Sequence, residues 1–265
     1  MKPRITQFLA EKDRNPEQVW ELFHENSKIN RHQRFFGNDY VVDVMQDHRD
    51  ALDYESMPEE RLHFPSGLVD PAMVSAIEQR STHYDWDDTR LTREQLSALL
   101  ELSCGLNASE AFDPQLRVRP RRNCPSGGAM HPLEVFVSVR NVDGMAPGLY
   151  HFNPHRCSLN RLREGDQSVE ISQAFVQNQI IQGAACVWMI TAIFERTVFK
   201  YGNRGYRFAL LEAGHMAQIS NSLATSLGVH CHNIGGFFDH EIDQYLGIDG
   251  LNHSTVYCLA FGMPA

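Results

Sequence analysis

The spacing of apolar residues predicts helices first. Asn15 can cap, Pro16 suits a first helical position and Glu17 suits the positive end of the dipole, with Val19, Leu22 and Phe23 following as one apolar stripe. A second helix is expected over residues 57–62, broken by Pro65-Ser66-Gly67, and a short one from Asp70-Pro71 to Gln79. Leu96, Leu99, Leu100 and Leu102 then recur at helical spacing between Thr92, a cap, and Gly105, a terminator. After this the period becomes two: Leu133, Val135, Val137 and Val139 fall on one face, as in a strand. Residues 147–152 and 158–162 read as a hairpin joined across Asn153-Pro154, and residues 168–180 as a polar helix. Residues 185–194 are apolar on both faces, the pattern of a central strand. A long helix over 206–227 stops at Gly228; a strand over 230–234, a turn at Gly235-Gly236-Phe237, a helix over 239–246 capped by Asp239 and a strand over 255–261 complete the chain. Strands separated by helices predict an α+β fold whose mixed sheet is flanked by helices.

Charge and cysteine usage narrow the setting. With 24 Lys+Arg against 33 Asp+Glu, the chain of 265 residues carries a formal charge of −9, which argues against nucleic acid or an anionic membrane as main partner. A local basic cluster, residues 117–122, is broken by Pro120. The six cysteines are dispersed without a C-x-x-C pair, as expected of reduced thiols in a cytoplasmic protein. The first residues lack the apolar run of a signal peptide, and the most apolar stretch, 184–194, is too short to span a bilayer as a helix.

Chemistry concentrates in a few short stretches. Phe199-Lys200-Tyr201-Gly202-Asn203-Arg204-Gly205-Tyr206-Arg207 sets proton-handling and anion-clamping side chains ahead of a buried helix, a rigid mount for them. Pro125-Ser126-Gly127-Gly128, ahead of a strand, and Gly235-Gly236, after one, let backbone N–H groups approach a planar ligand; either pair alone also suits a plain turn. Arg80-Ser81-Thr82-His83 offers cation, hydroxyl and imidazole for a phosphate, or a polar helix end. In a strand, His230 and His232 share a face while Cys231 points away, so the three cannot ligate one ion and no metal is expected. Nucleophile-elbow, P-loop and dinucleotide fingerprints are all missing from the sequence.

In this order, Arg80-Ser81, Pro125-Ser126-Gly127-Gly128-Ala129-Met130-His131-Pro132, Lys200-Tyr201-Gly202-Asn203-Arg204-Gly205-Tyr206-Arg207, Leu210-Leu211-Glu212-Ala213-Gly214-His215 and Ile234-Gly235-Gly236-Phe237 resemble the SagB-type dehydrogenases. These are flavin oxidoreductases of the nitroreductase superfamily that oxidise thiazolines and oxazolines in modified peptides, and the similarity runs from about Pro71 to Ala265. It implies a helical extension over residues 1–70 and an FMN-binding domain over 71–265 that forms a homodimer through a long core helix, with FMN at the subunit interface. Lys200 and Tyr201 match the catalytic pair of azoline-oxidising members. Arg80, Ser81 and His83 would lie near the FMN phosphate, Pro125 to Gly128 along the ribityl chain and ring, Gly235 and Gly236 at the flavin edge, and Arg204 against an anionic group of cofactor or substrate. Gln79 and His83 stand where many members carry basic residues, and the sequence beyond the final strand reads Gly262-Met263-Pro264-Ala265 where they have more; Arg121 and Arg122 are the expected substitutes, with Arg80. The substrate implied is a heterocyclised peptide or a carrier-bound intermediate, with a cyclodehydratase as partner. The alternatives are a nicotinamide-dependent nitro or quinone reductase and a non-catalytic scaffold of a maturation complex.

Overall fold

The computed structural model describes residues 19–33, 67–107 and 121–265, with residues 58, 60, 62 and 65 singly. The helix start at Asn15-Pro16 and most of the helix expected over 57–62 lie outside these residues. The elements are α1 (Val19–Ser27), α2 (Pro71–Glu78), α3 (Arg93–Cys104), β1 (Leu133–Val139), β2 (Gly148–Asn153), β3 (Ser158–Glu164), α4 (Ser168–Ser172), α5 (Asn178–Gly183), β4 (Cys186–Ile193), α6 (Glu195–Tyr201), α7 (Asn203–Ser226), β5 (His230–Ile234), α8 (Asp239–Leu246) and β6 (His253–Gly262).

The six strands form one sheet in the order β3-β2-β1-β4-β6-β5. The period-two pattern decides its faces. Leu133, Val135, Val137 and Val139 join α3 and α7 in one core, whereas Phe136, Val187 and Met189 join α4, α5 and α8 in the other. The expected α+β layers are therefore present, but the sheet is not mixed: all its ladders are antiparallel. The helical crossover through α6 and α7 does make β4 and β5 run in the same direction. They are not neighbours, because β6 lies between them and antiparallel to both.

Two local expectations change for reasons of pairing. The polar helix over 168–180 is divided into α4 and α5, because the chain between them leaves helical geometry to pair with the turn after β5: Val176 N donates to Gly236 O and Phe238 N to Ala174 O. Asp239 begins α8 without a side-chain cap bond; its carboxylate accepts instead from Ile29 N at 2.8 Å. The capping box expected at Thr92 is present, with Gln95 returning the bond to the Thr92 N–H.

Helix α7 is the central support. Its buried positions Tyr206, Ala209, Ala213, Met216, Ala217 and Ala224 are mostly small, so the helix lies close against the sheet. The α1 helix docks on the start of α7: Trp20 and His24 are buried against Phe194 and Tyr206, and Lys28 reaches Gly250 O.

Candidate functional site

The first group of candidate residues lies where α6 turns into α7. Lys200 and Tyr201 end α6, and Gly202 makes the corner at φ +56°, a left-handed conformation that favours glycine. The two helices cross closely enough that a Cβ on Gly205 would come within 2.7 Å of the Thr197 carbonyl carbon; Thr197 Oγ1 fixes the crossing by donating to Gly205 O at 3.0 Å.

Over this corner lies the Pro125–Gly128 segment. Gly128 has φ +63°, and a Cβ there would collide with Tyr201 Oη and stand 2.9 Å from Lys200 Nζ. A Cβ on Gly127 would stand 3.2 Å from the Phe208 ring, which itself packs edge-on against Tyr201 at 4.9 Å. The missing side chains thus let Lys200, Tyr201 and Phe208 close on bare backbone. Lys200 Nζ lies 5.0 Å from the Tyr201 ring centre. Ala129 and His131 also take positive φ, 52° and 47°, a strained geometry for residues with side chains. The turn is held by Ser126 Oγ, which accepts from His131 N at 2.9 Å, and by Arg196, which donates to His131 O at 3.1 Å.

Beneath the turn lie charged groups that the motif reading did not single out. Arg196, one helical turn before Lys200, also donates to Glu134 Oε1 at 2.6 Å, and His151 Nε2 lies 2.9 Å from Glu134 Oε2. Burial pushes the Glu134 carboxyl up, but the hydrogen bonds from His151 and Arg196 and the Arg196 charge outweigh it and bring it down to about 2. Glu212 of α7 is buried, and its Oε2 has no hydrogen-bond partner. Burial raises it to about 7, against the opposing effects of a hydrogen bond from Ser126 and the charges of Arg122 and Arg196. Helical spacing carried a signal for Glu212: it falls on the same stripe as Ala209, Ala213 and Met216. Glu134 carried a weaker one, since it shares its strand face with apolar Phe136.

The second group gathers along the edge strand β5. Residues after α2 run beside it, with the His83 and His230 rings stacked at 3.3 Å and 9°, and His232 Nδ1 donating to His83 O at 2.7 Å. Ser81 Oγ and His83 Nε2 are 2.8 Å apart, and Arg80 is exposed beside them. His230 and His232 therefore share a face toward this segment while Cys231 enters the core. The other end of β5 leads into Gly235, where an added Cβ would meet nothing within 4 Å, and Gly236, where it would stand 3.5 Å from Val176. His230 and Gly235 are about 16 Å apart along an extended chain.

The structure thus brings Gly128 to Lys200 and Tyr201 and Gly127 to Phe208, and sets Arg80, Ser81 and His83 beside the strand that leads into Gly235 and Gly236. Pro125 stays with the first group, and Arg204 is exposed in the first turn of α7, three residues beyond Tyr201. A cavity of about 540 Å³ between α3 and the β2–β3 hairpin, lined by Arg93, Leu96, Tyr150 and Phe152 among others, shares no residue with either group. No helix among the described residues is long and apolar enough to cross a membrane.

Comparison with known proteins gives the architecture a family. The nitroreductase family model matches residues 77–263, more than half of the chain and all of the sheet. The chain belongs to the nitroreductase family. Within that family, 172 residues, 65% of the chain, are 35% identical to the candidate nitroreductase MJ1384 of Methanocaldococcus jannaschii and cover 82% of that protein. Over 181 residues, 66% of the chain, it is 29% identical to the microcin B17-processing protein McbC of Escherichia coli; the match spans 64% of McbC, less than two thirds of its length. Among solved structures it superposes on a chain of the Escherichia coli microcin synthetase McbBCD complex with truncated pro-MccB17 bound. The TM-score is 0.76 at 19% identity, covering 98% of this chain and 97% of the other, so the two share a fold.

Proposed function

We propose that the protein is an FMN-dependent dehydrogenase that converts thiazoline or oxazoline rings to thiazole or oxazole in a peptide or carrier-bound intermediate. The observation that carries this reading is the packing of Lys200 and Tyr201 against the side-chain-free backbone of Gly128, which places two proton-handling groups at a turn suited to a flat ligand. Similarity to McbC, a processing protein of microcin B17, favours a heterocyclised peptide as substrate and a cyclodehydratase as partner.

The residues fit a ligand with a flat ring and a phosphate. Uncovered backbone is available at Gly235, and the Gly127–Gly128 turn brings Lys200 and Tyr201 beside it to bear on a ring, while Arg80, Ser81 and the His83–His230 stack supply cation, hydroxyl and imidazole. FMN, when bound, supplies the two-electron acceptor for the hydride that leaves one ring carbon. Lys200 would take the proton from the neighbouring, more acidic carbon beside the acyl group, and Tyr201 would orient the ring or pass that proton on. Ser126 and Arg196 hold the turn above the pair, and Arg204, exposed at the start of α7, would meet an anionic group of the ligand. In this reading two chains complete each site, the glycine turn of one meeting the β5 group of the other. Phe199 and Leu211 beside the site and Met73 on α2 are more than half exposed in the single chain, an apolar surface suited to a homodimer. Residues 71–265 would form the catalytic domain, with residues 1–70 as an extension whose α1 docks on α7.

Purified protein should be yellow and release FMN. Anaerobic addition of a thiazoline-bearing peptide should bleach the flavin, and Lys200→Ala should keep the flavin bound but slow bleaching by about 10²-fold or more. Unchanged bleaching in Lys200→Ala removes the lysine from the chemistry. Rapid bleaching by NADPH without any peptide replaces this reading with that of a nitro or quinone reductase.

A further inference from the structure

The imidazole stack on β5 has more structure than a surface contact requires. The rings of His83 and His230 lie parallel at 3.3 Å, close enough that they cannot both carry a proton without an anion beside them. Three features hold them in register: His232 Nδ1 donates to the His83 carbonyl, Tyr84 packs edge-on against the His232 ring at 4.8 Å, and Ser81 Oγ bonds His83 Nε2. His230 Nδ1 is buried without a hydrogen-bond partner, so a polar valence is left for a ligand or a proton. Burial and the Arg80 charge lower His83, while burial and His83 lower His230.

Among the described residues, the charged groups that act on the pair are Arg80 and the two imidazoles themselves. On the α2 side the charge acting on His83 is that of Arg80, and Cys231 turns into the core. On β6 the residue in register with His230 is Gly262, and Asp87, whose backbone pairs with Met263, uses its carboxylate on Thr89. An anion docking here therefore meets a cation, a hydroxyl and two imidazoles that share one vacancy for a proton.

We propose that the stacked His83–His230 pair is the phosphate seat of this site and takes up one proton from solvent as a phosphate monoester docks against Ser81 and Arg80. This rests on the flavin reading above, which places the cofactor phosphate at Arg80, Ser81 and His83, and it adds His230 together with a pH dependence. The free pair is neutral near pH 7 and the occupied pair carries one charge, so affinity falls as pH rises through the occupied pair's titration. The limit for one proton is about tenfold per pH unit.

The test is fluorescence titration of the flavin-free protein with FMN and with riboflavin, which lacks the phosphate, between about pH 6.5 and 8.5, where a phosphate monoester stays largely dianionic. FMN affinity should fall several-fold across this range and riboflavin affinity should stay level. His230→Phe, which keeps a ring in the stack, should weaken FMN binding several-fold at about pH 6.5 and flatten its pH profile, leaving riboflavin affinity unchanged. A flat FMN profile in the unaltered protein, or no effect of His230→Phe, overturns the proposal and leaves the flavin reading standing. Inorganic phosphate, followed by the histidine NMR signals of His83 and His230, tests the pair without flavin: their titration should move to higher pH, and signals that stay put overturn it. Should phosphate move them while neither FMN nor riboflavin binds, the seat stands and the flavin reading falls.

Discussion

Replacing Gly128 by alanine tests whether the turn is built to receive Lys200 and Tyr201. Two penalties are separable there. At φ +63° any side chain costs about 1–2 kcal/mol of backbone strain, and this particular Cβ also collides with Tyr201 Oη and crowds Lys200 Nζ. Gly144 provides the matched control: its φ is +66°, but an added Cβ would meet nothing within 4 Å. Both Gly128→Ala and Gly144→Ala should therefore lower the melting temperature, by roughly 2–8 °C for that strain in a chain of this size. Only Gly128→Ala should also displace the lysine–tyrosine pair, and a displacement near 1 Å costs about 10²-fold in rate. The assay is a thermal melt of each variant beside the rate of flavin bleaching by the azoline peptide under saturating conditions. Equal bleaching rates for the two variants would show that contact between Gly128 and the pair has no part in the reaction. A Gly128→Ala variant as stable as the parent would refute the strain argument itself.

The buried carboxylates make opposite predictions with pH. Glu134 is held down to about 2, so the stability it contributes is present above pH 4.5 and is lost as pH falls toward 2; Glu134→Gln should flatten the acid limb of a denaturation-versus-pH curve, by at most about 3 kcal/mol. Glu212 is raised to about 7, so stability declines as pH rises from about 4.5 to 7; Glu212→Gln should stabilise the protein at pH 8, by at most about 3 kcal/mol, with little change at pH 4. A Glu212→Gln variant no more stable than the parent at pH 8 contradicts the buried placement of this carboxyl, with Oε2 unpaired. Thr92→Ala removes the side-chain half of the capping box and should cost about 1 kcal/mol in urea denaturation; an unchanged midpoint would mean that the α3 terminus is held by other contacts.

Local chemistry alone determined most of the elements of this protein. Alternation in β1, apolar residues on both faces of β4, the box at Thr92 and the small-residue stripe of α7 are each encoded within a few neighbouring residues, so their form could be read before any contact was known. The ordered motifs likewise indicated the candidate groups, since a glycine pair or a Lys-Tyr step is a contiguous string. Tertiary structure decided what those strings touch. Sequence spacing does not show that β6 enters between β4 and β5 and makes the sheet antiparallel, because that depends on which edge remains open after the crossover. Nor does it show that residues 173–177 leave the helix to pair with Gly236, that Arg196 and His151 compensate Glu134, or that His83 meets His230 nearly 150 positions later. Each of these depends on burial and charge supplied by distant segments: a helix or strand is specified by its own period, whereas a proton's affinity for a side chain is set by everything packed around it.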